Sequence, residues 1–168
     1  MLGEAELIHR ATVSGDLAAL RRAFGDAAAF PNVRDAQGTS CLAHAIAEGP
    51  LALVQALLAA GADPNEEALD GFPPLLAAID RPAPDRHAVL EALLSAGARV
   101  DQRGINDYTP LHLAADRDDA DAVRLLLAHG ADPRARTRID DRASPLEEAE
   151  RGGCDRAAAV LRAANGAG

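Results

Sequence analysis

A chain of 168 residues is long enough to bury one substantial core, and apolar residues make up 48% of it. Only three Phe, one Tyr and no Trp are present, so Ala and Leu must provide the packing, which favours close-packed helices over layers of strands. The formal net charge of −9 argues against nucleic acid or an anionic membrane as the partner.

All 17 basic residues are Arg, and this bias together with the excess of Ala suggests a GC-rich genome and a bacterial source. Cys41 and Cys154 have neither a second thiol nor a His at ligand spacing, so we expect no disulfide framework and no zinc site. The first residues lack a basic start followed by an apolar run, and no stretch reaches about 18 uninterrupted apolar residues. We therefore predict a cytoplasmic protein.

The first predicted element is a helix over 4–14, and from residue 38 the chain follows a repeating pattern. One segment occurs four times, as GTSCLAHAIAEG at 38–49, GFPPLLAAI at 71–79, DYTPLHLAAD at 107–116 and RASPLEEAERGG at 142–153. A second segment follows three of these, as LVQALLAAGADPN at 53–65, VLEALLSAGARVD at 89–101 and AVRLLLAHGADPR at 122–134. Intervals of 33, 36 and 35 residues separate Leu42, Leu75, Leu111 and Leu146, which indicates a unit of 33 residues with small insertions.

Each first segment predicts a helix with a defined start. Hydroxyl side chains stand where they can cap free backbone N–H groups, at Ser40, Thr109 and Ser144. Prolines stand at the first helical position, where a missing N–H costs nothing, at Pro74, Pro110 and Pro145. Each Leu is followed three residues later by Ala, which gives a narrow apolar stripe that lets helices approach closely.

Each second segment predicts another helix, which ends where a left-handed residue is needed, at Gly61, Gly97 or Gly130. The Gly-Ala-Asp type of sequence that follows would turn the chain outward into a short, hairpin-like finger. A single helix pair cannot bury its apolar face alone, so neighbouring pairs must share stability.

The sequences TPLHLAA at 109–115 and GAD at 61–63 and 130–132 resemble the ankyrin repeat, and the resemblance covers nearly the whole chain. It implies an all-α solenoid of about five helix-turn-helix units with projecting fingers. The units would form a single domain, at about 2–34, 35–67, 68–103, 104–138 and 139–168. The first and last units would close the two ends of the stack.

Three departures from the repeat carry further predictions. Three extra residues between Ile79 and Val89 predict an enlarged loop that Pro82 and Pro84 would stiffen. Two extra residues between Gly130 and Pro145 predict a longer last finger. Asp118 replaces the Gly expected at the end of a first helix, which Asp tolerates because it can adopt left-handed backbone angles.

His112 and a group of carboxylates invite a catalytic interpretation. The resemblance implies that His112 bonds backbone between adjacent fingers. Asp116, Asp118, Asp119 and Asp121 could bind a hard cation, but they lack the Gly and the closing Glu of a calcium loop, and a solvated turn is the alternative. The sequence contains no phosphate loop, nucleophile elbow or His-x-x-x-His pair. We predict no cofactor, no metal and no catalytic activity, with a metal-dependent or hydrolytic enzyme that uses His112 and the Asp116–Asp121 cluster as the alternative.

The resemblance implies a protein-binding module, acting as an adaptor, inhibitor or stabiliser, whose concave face is formed by finger tips and first helices. The predicted contact residues are Gln37, Thr39, Glu48, Leu69, Asp70, Phe72, Asp80, Arg81, Ile105, Asn106, Tyr108, Asp116, Arg117, Asp140 and Asp141. Phe72 and Tyr108 take the same position on adjacent fingers, and an Asp-Arg pair follows each of them eight residues later. Aromatic and Arg side chains are frequent binding hot spots, although the two rings could instead cover the neighbouring finger. The acidity suits a partner with a basic surface, and we expect a monomer.

Overall fold

The computed structural model describes residues 3–25, 28–67, 71–138 and 142–166. Within these ranges the chain forms ten α-helices and one short 3-10 turn, Ile105–Asp107. The helices are α1 (Glu4–Ser14), α2 (Leu17–Ala23), α3 (Cys41–Glu48), α4 (Leu51–Ala59), α5 (Pro74–Asp80), α6 (Arg86–Ser95), α7 (Pro110–Asp116), α8 (Ala120–Ala128), α9 (Pro145–Gly152) and α10 (Asp155–Gly166). No helix among these residues is long and apolar enough to cross a bilayer.

Consecutive helices pack as five pairs, and the pairs stack side by side. The first helices of the pairs, α1, α3, α5, α7 and α9, contact one another in that order. The second helices, α2, α4, α6, α8 and α10, form a parallel layer in the same order. This architecture is the all-helical solenoid that the repeat pattern predicts.

The repeated leucines form the core between the two layers. Leu42, Leu75 and Leu111 are each at most 1% exposed, whereas Leu146 in the last pair is only partly buried. On the second helices Leu57, Leu93 and Leu126 are fully buried at the equivalent position. Because the pattern places Leu at equivalent positions in successive pairs, the apolar core continues from one pair to the next.

The predicted helix ends are confirmed. The Ser40 hydroxyl accepts a hydrogen bond from the Ala43 N–H, and Thr109 and Ser144 do the same for their own helices. Gly61, Gly97 and Gly130 adopt φ angles of 95°, 92° and 88°, which is the left-handed conformation expected after the second helices.

Asp118 has a role that the repeat pattern did not predict. Its φ of 50° places it in the left-handed region, as expected for a residue that replaces Gly. Its carboxylate also accepts a hydrogen bond of 2.8 Å from the Ala157 N–H, in the first turn of α10. Asp118 therefore ends one helix and caps the second helix of the next pair.

The longer finger predicted before Pro145 lies partly outside the described residues.

Amide side chains join successive fingers. Asn32 donates to the Gly61 carbonyl oxygen at 2.9 Å and accepts from the Asp63 N–H at 2.8 Å. Asn65 repeats both bonds one unit later, to the Gly97 oxygen and from the Arg99 N–H, at 3.0 and 2.7 Å. Asp101 occupies the same position at the third junction and accepts from the Asp132 N–H at 3.1 Å. A carboxylate cannot donate, so this junction lacks the second bond of the pair.

We expect Asp101→Asn to raise the free energy of unfolding by about 1 kcal/mol, because the new amide can donate to the Gly130 carbonyl oxygen. Urea unfolding followed by circular dichroism measures the change. The reciprocal variant Asn65→Asp should lower stability by a similar amount. Unchanged or reduced stability of Asp101→Asn would contradict the donor argument.

Candidate binding face

Two adjacent cavities form a groove between the finger tips and the first helices. The larger, here called the alanine cavity, measures about 610 Å³; Ala43, Ala47 and Ala77 of α3 and α5 line it, together with Phe72 and Pro82. The smaller, here called the leucine cavity, measures about 220 Å³; Leu76, Leu113, Ile105, Tyr108 and again Phe72 line it. Phe72 belongs to both cavities, so they form one continuous surface across three helix pairs.

Phe72 and Ile105 present the apolar surface of this groove. Phe72 is 41% exposed and Ile105 is 55% exposed. Ile105 packs against Gly71, where an added Cβ atom would clash with the Ile105 Cγ1 atom. Gly71 also adopts a φ of 75°, so both backbone conformation and close packing require glycine here. One side of the Ile105 side chain thus packs on backbone while the rest stays exposed.

Tyr108 lies in the leucine cavity with Phe72 but is less exposed. Its ring packs on the ring of His112, with centroids 5.2 Å apart. The two aromatic residues therefore share a cavity, as their equivalent positions predict, yet Tyr108 also covers its own first helix. The alternative from the sequence is that the two rings cover the neighbouring finger, whereas this contact of Tyr108 is with His112 of its own helix pair.

The two Asp-Arg pairs are not equivalent in the structure. Arg117 is exposed, and its Nη2 atom lies 2.6 Å from the Asp80 Oδ1 atom, which links α7 to α5. Arg81 is only 5% exposed and donates to the carbonyl oxygens of Ile46 and Gly49, at 2.6 and 2.7 Å. Its guanidinium also contacts the Asp85 carboxylate at 3.0 Å.

Arg81 thus corrects the expectation of an exposed contact residue. Arg81 follows α5 with φ −58° and ψ 126°, and its side chain reaches the carboxyl end of α3 in the preceding pair. Helix ends have carbonyl groups without partners inside the helix, and Arg81 satisfies them. The guanidinium of Arg81 therefore has its partners within the protein, on α3 and at Asp85.

Most other predicted contact residues lie along this groove or at the ends of its helices. Gln37, Thr39 and Asp80 line the alanine cavity, and Asn106 lines the leucine cavity. Glu48 and Asp116 are exposed at the ends of α3 and α7. The remaining four, Leu69, Asp70, Asp140 and Asp141, lie outside the described residues.

Sequence reasoning did not predict that Ala43, Ala77 and Pro82 line a cavity. Ala77 stands at the position that Leu113 occupies in the next first helix, two residues after the repeated Leu. Ala43 likewise stands where Leu76 and His112 stand in the following helices. Aligning the repeats would have shown small residues at these two positions, but only the structure shows that they face an open cavity.

His112 is fully buried and has partners on both ring nitrogens. Its Nε2 atom lies 3.0 Å from the Ala143 carbonyl oxygen on the next finger, and its Nδ1 atom lies 2.8 Å from the Thr109 hydroxyl. Burial lowers the pKa of His112, which favours the neutral imidazole that donates to Ala143 and accepts at Nδ1. This is the contact between fingers that the resemblance implied.

The carboxylates after α7 have separate partners. Asp119 accepts from the Ala122 N–H at 3.1 Å and contacts His87 and Arg86 at 2.8 and 3.0 Å. Burial would raise the pKa of Asp119, but these hydrogen bonds and charges outweigh it and hold the pKa below its usual value. Asp121 instead contacts Arg124 at 2.6 Å. Across the described ranges, no three His, Cys, Asp or Glu side chains are grouped to hold a metal ion.

Both cysteines are free thiols. Cys41 is fully buried, and burial raises its pKa to about 12. Burial also raises the pKa of Cys154, whose Sγ atom donates to the Asp116 carbonyl oxygen at 3.4 Å. Both thiols are therefore protonated at neutral pH, which makes them weak nucleophiles.

Stacked helix pairs whose fingers are joined by hydrogen bonds define a helical-repeat solenoid. Residues 106–138, which include α7 and α8, match the family model of the ankyrin repeat. Ankyrin repeats are protein-interaction modules and are typically non-catalytic. A comparison with curated proteins finds no match to the chain.

Proposed function

We propose that the protein is a non-catalytic module that binds another protein through the groove between finger tips and first helices. It would act in the bacterial cytoplasm as a monomeric adaptor, inhibitor or stabiliser. The whole chain would form one domain of five units, with the boundaries that the repeat predicts. The observation that carries this proposal is the pair of exposed apolar side chains, Phe72 and Ile105, at the centre of the groove.

Three physical arguments support this face. Exposed apolar side chains that lie together above a cavity gain free energy when a partner covers them, at about 25 cal/mol per Å² of apolar surface. Ile105 already packs on one side against Gly71, which reduces the side-chain entropy that binding would cost there. Phe72 lines both cavities, which places it at the centre where hot spots are commonly found.

The test compares three immobilised baits in lysate of the source organism, read by quantitative mass spectrometry. They are the wild type, the double variant Phe72→Ala/Ile105→Ala, and the matched control Leu7→Ala/Val13→Ala, which removes two exposed apolar side chains from α1. We expect a protein that the wild type and the control retain and the groove variant loses. The affinity loss should be about 2 kcal/mol or more, which is roughly 30-fold in Kd.

Thermal unfolding of each bait verifies that the substitutions leave the fold intact. Tyr108→Ala is a useful third variant, and we expect it to weaken binding. Because it also removes the ring that packs on His112, its thermal unfolding shows how much that ring contributes to stability. A partner that the groove variant still retains, and that the α1 variant loses, would place binding at the amino-terminal end and refute the proposal.

A further inference from the structure

The depth of the alanine cavity follows from the identity of two residues. In the leucine cavity, Leu76 of α5 and Leu113 of α7 fill the corresponding positions, and both are at most 6% exposed. In the alanine cavity these positions hold Ala43 of α3 and Ala77 of α5, and that cavity measures about 610 Å³ compared with about 220 Å³ for the leucine cavity. Two small side chains therefore open space that larger side chains fill one pair further on.

The alanine cavity has two walls, and contacts of Arg81 fix one of them. Phe72 lines the finger side, and Pro82, in the inserted loop, lines the helix side. Arg81 anchors this loop through its bonds to α3 and to Asp85. A partner side chain would enter between Phe72 and Pro82 and rest on Ala77. Arg34, Glu66, Asp80 and Arg81 also line the cavity, so its lining combines apolar and charged side chains. The apolar part, formed by the alanines, Phe72 and Pro82, suits one bulky apolar side chain.

Three carboxylates lie at the ends of neighbouring first helices, and we call them the acidic row; the middle one, Asp80, lines the alanine cavity. Glu48, Asp80 and Asp116 are the last residues of α3, α5 and α7, and their side chains are 39%, 46% and 45% exposed. A carboxylate at the carboxyl end of a helix is unfavourable by roughly 0.3–1 kcal/mol because the helix dipole is negative there. The first helices of three successive pairs thus end in an acidic residue, although the helix dipole disfavours one there.

The acidic row remains negative after its partners are considered. Arg117 contacts both Asp80 and Asp116, at 2.6 and 3.8 Å, and His9 contacts Glu48 at 2.6 Å. The nearby charge of Arg81 is matched by Asp85. Among the described residues, Arg117 is thus the one permanent cation that forms ion pairs with these three carboxylates, and further positive charge from a partner would be attracted to them.

We propose, resting on the function proposed above, that the groove binds a segment of a partner protein that combines a bulky apolar side chain with Arg or Lys. The apolar side chain occupies the alanine cavity, and the basic side chains lie against the acidic row. Neighbouring helices pack about 8–10 Å apart, which corresponds to about three residues of extended chain. The partner segment therefore spaces its basic residues about three positions apart.

The probe is a phage-displayed library of random 12-residue peptides, selected on the wild-type protein and confirmed as synthetic fluorescent peptides by polarisation. Ala77→Leu fills the cavity with the side chain that α7 already carries, and Ala88→Leu adds the same side chain at an exposed site on α6. Glu48→Gln/Asp116→Asn removes two of the three carboxylates and leaves Asp80 paired with Arg117, which neutralises the acidic row. Glu4→Gln/Glu6→Gln removes the same charge from α1. Circular dichroism checks the fold of every variant.

We expect enriched peptides to pair Arg or Lys with Leu, Phe, Met or Trp. Ala77→Leu should weaken their binding at least tenfold. Neutralising the acidic row should weaken binding about fivefold, with the difference shrinking in high salt. The two controls should bind as the wild type does.

Peptides that lose affinity with Phe72→Ala/Ile105→Ala but not with Ala77→Leu or the neutralised row would overturn this inference and leave the proposed function standing. Peptides that bind but respond to none of these groove variants would count against both. A selection that enriches no peptide over an unrelated protein would also overturn the inference, while the lysate experiment still decides the function.

Discussion

Leu111→Ala is expected to lower the free energy of unfolding by about 2–5 kcal/mol. Leu111 is fully buried on α7, which packs against both α5 and α9. The truncation leaves a cavity between layers that cannot collapse, because helices on both sides hold their positions. Urea unfolding followed by far-ultraviolet circular dichroism measures the loss.

Leu146→Ala is the matched control for Leu111→Ala. Leu146 occupies the same repeat position on α9, but it is only partly buried. Its replacement should therefore cost clearly less than that of Leu111. Equal losses for the two variants, or a loss below about 1 kcal/mol for Leu111→Ala, would show that the core is not concentrated at the inner junctions.

Arg81→Ala is expected to lower the free energy of unfolding by about 3 kcal/mol. Removing the guanidinium leaves the carbonyl oxygens of Ile46 and Gly49 without this donor, and each such bond to a charged group contributes about 1.5–3 kcal/mol, without simple additivity. The Asp85 carboxylate also loses its partner, and the inserted loop loses its attachment to α3. Differential scanning calorimetry would measure a lower Tm.

Arg117→Ala provides the control, because Arg117 is the counterpart of Arg81 in the other Asp-Arg pair. Its side chain is 52% exposed, so loss of its contact with Asp80 should cost less than about 1 kcal/mol. Arg81→Met adds a second comparison, since it keeps most of the aliphatic stem and removes only the charge and its hydrogen bonds. If Arg81→Ala and Arg117→Ala lose the same stability, the buried contact does not support the fold as described.

Local signals in the sequence were enough to predict most of the architecture. Hydroxyl caps and left-handed glycines act within three or four residues of the helix ends they define, so Ser40, Thr109 and Gly130 could be interpreted without knowledge of the fold. The repeat then assigned the buried leucines, since equivalent positions in a stack have equivalent surroundings. The contact of His112 with the next finger followed from the resemblance.

The candidate site was predicted less completely, because it depends on contacts between different units. Phe72, Ile105 and Tyr108 were expected near one another, and they line one cavity. The matching sequence around Arg81 and Arg117 indicated similar exposure, yet one side chain is buried and the other is exposed. Arg81 and Arg117 follow their helices with different ψ angles, 126° and 2°, and their side chains reach different neighbours.

By itself, the sequence determined the repeat, the helix ends and the apolar stripe, since these arise from backbone geometry and from residues a few positions apart. Only the tertiary structure decided that Arg81 binds α3, that Asp118 caps α10 and that Ala43 and Ala77 open a cavity. Asp118 and Ala157 are 39 residues apart in sequence. Their contact depends on how one unit is stacked on the next, and no short-range pattern encodes that distance.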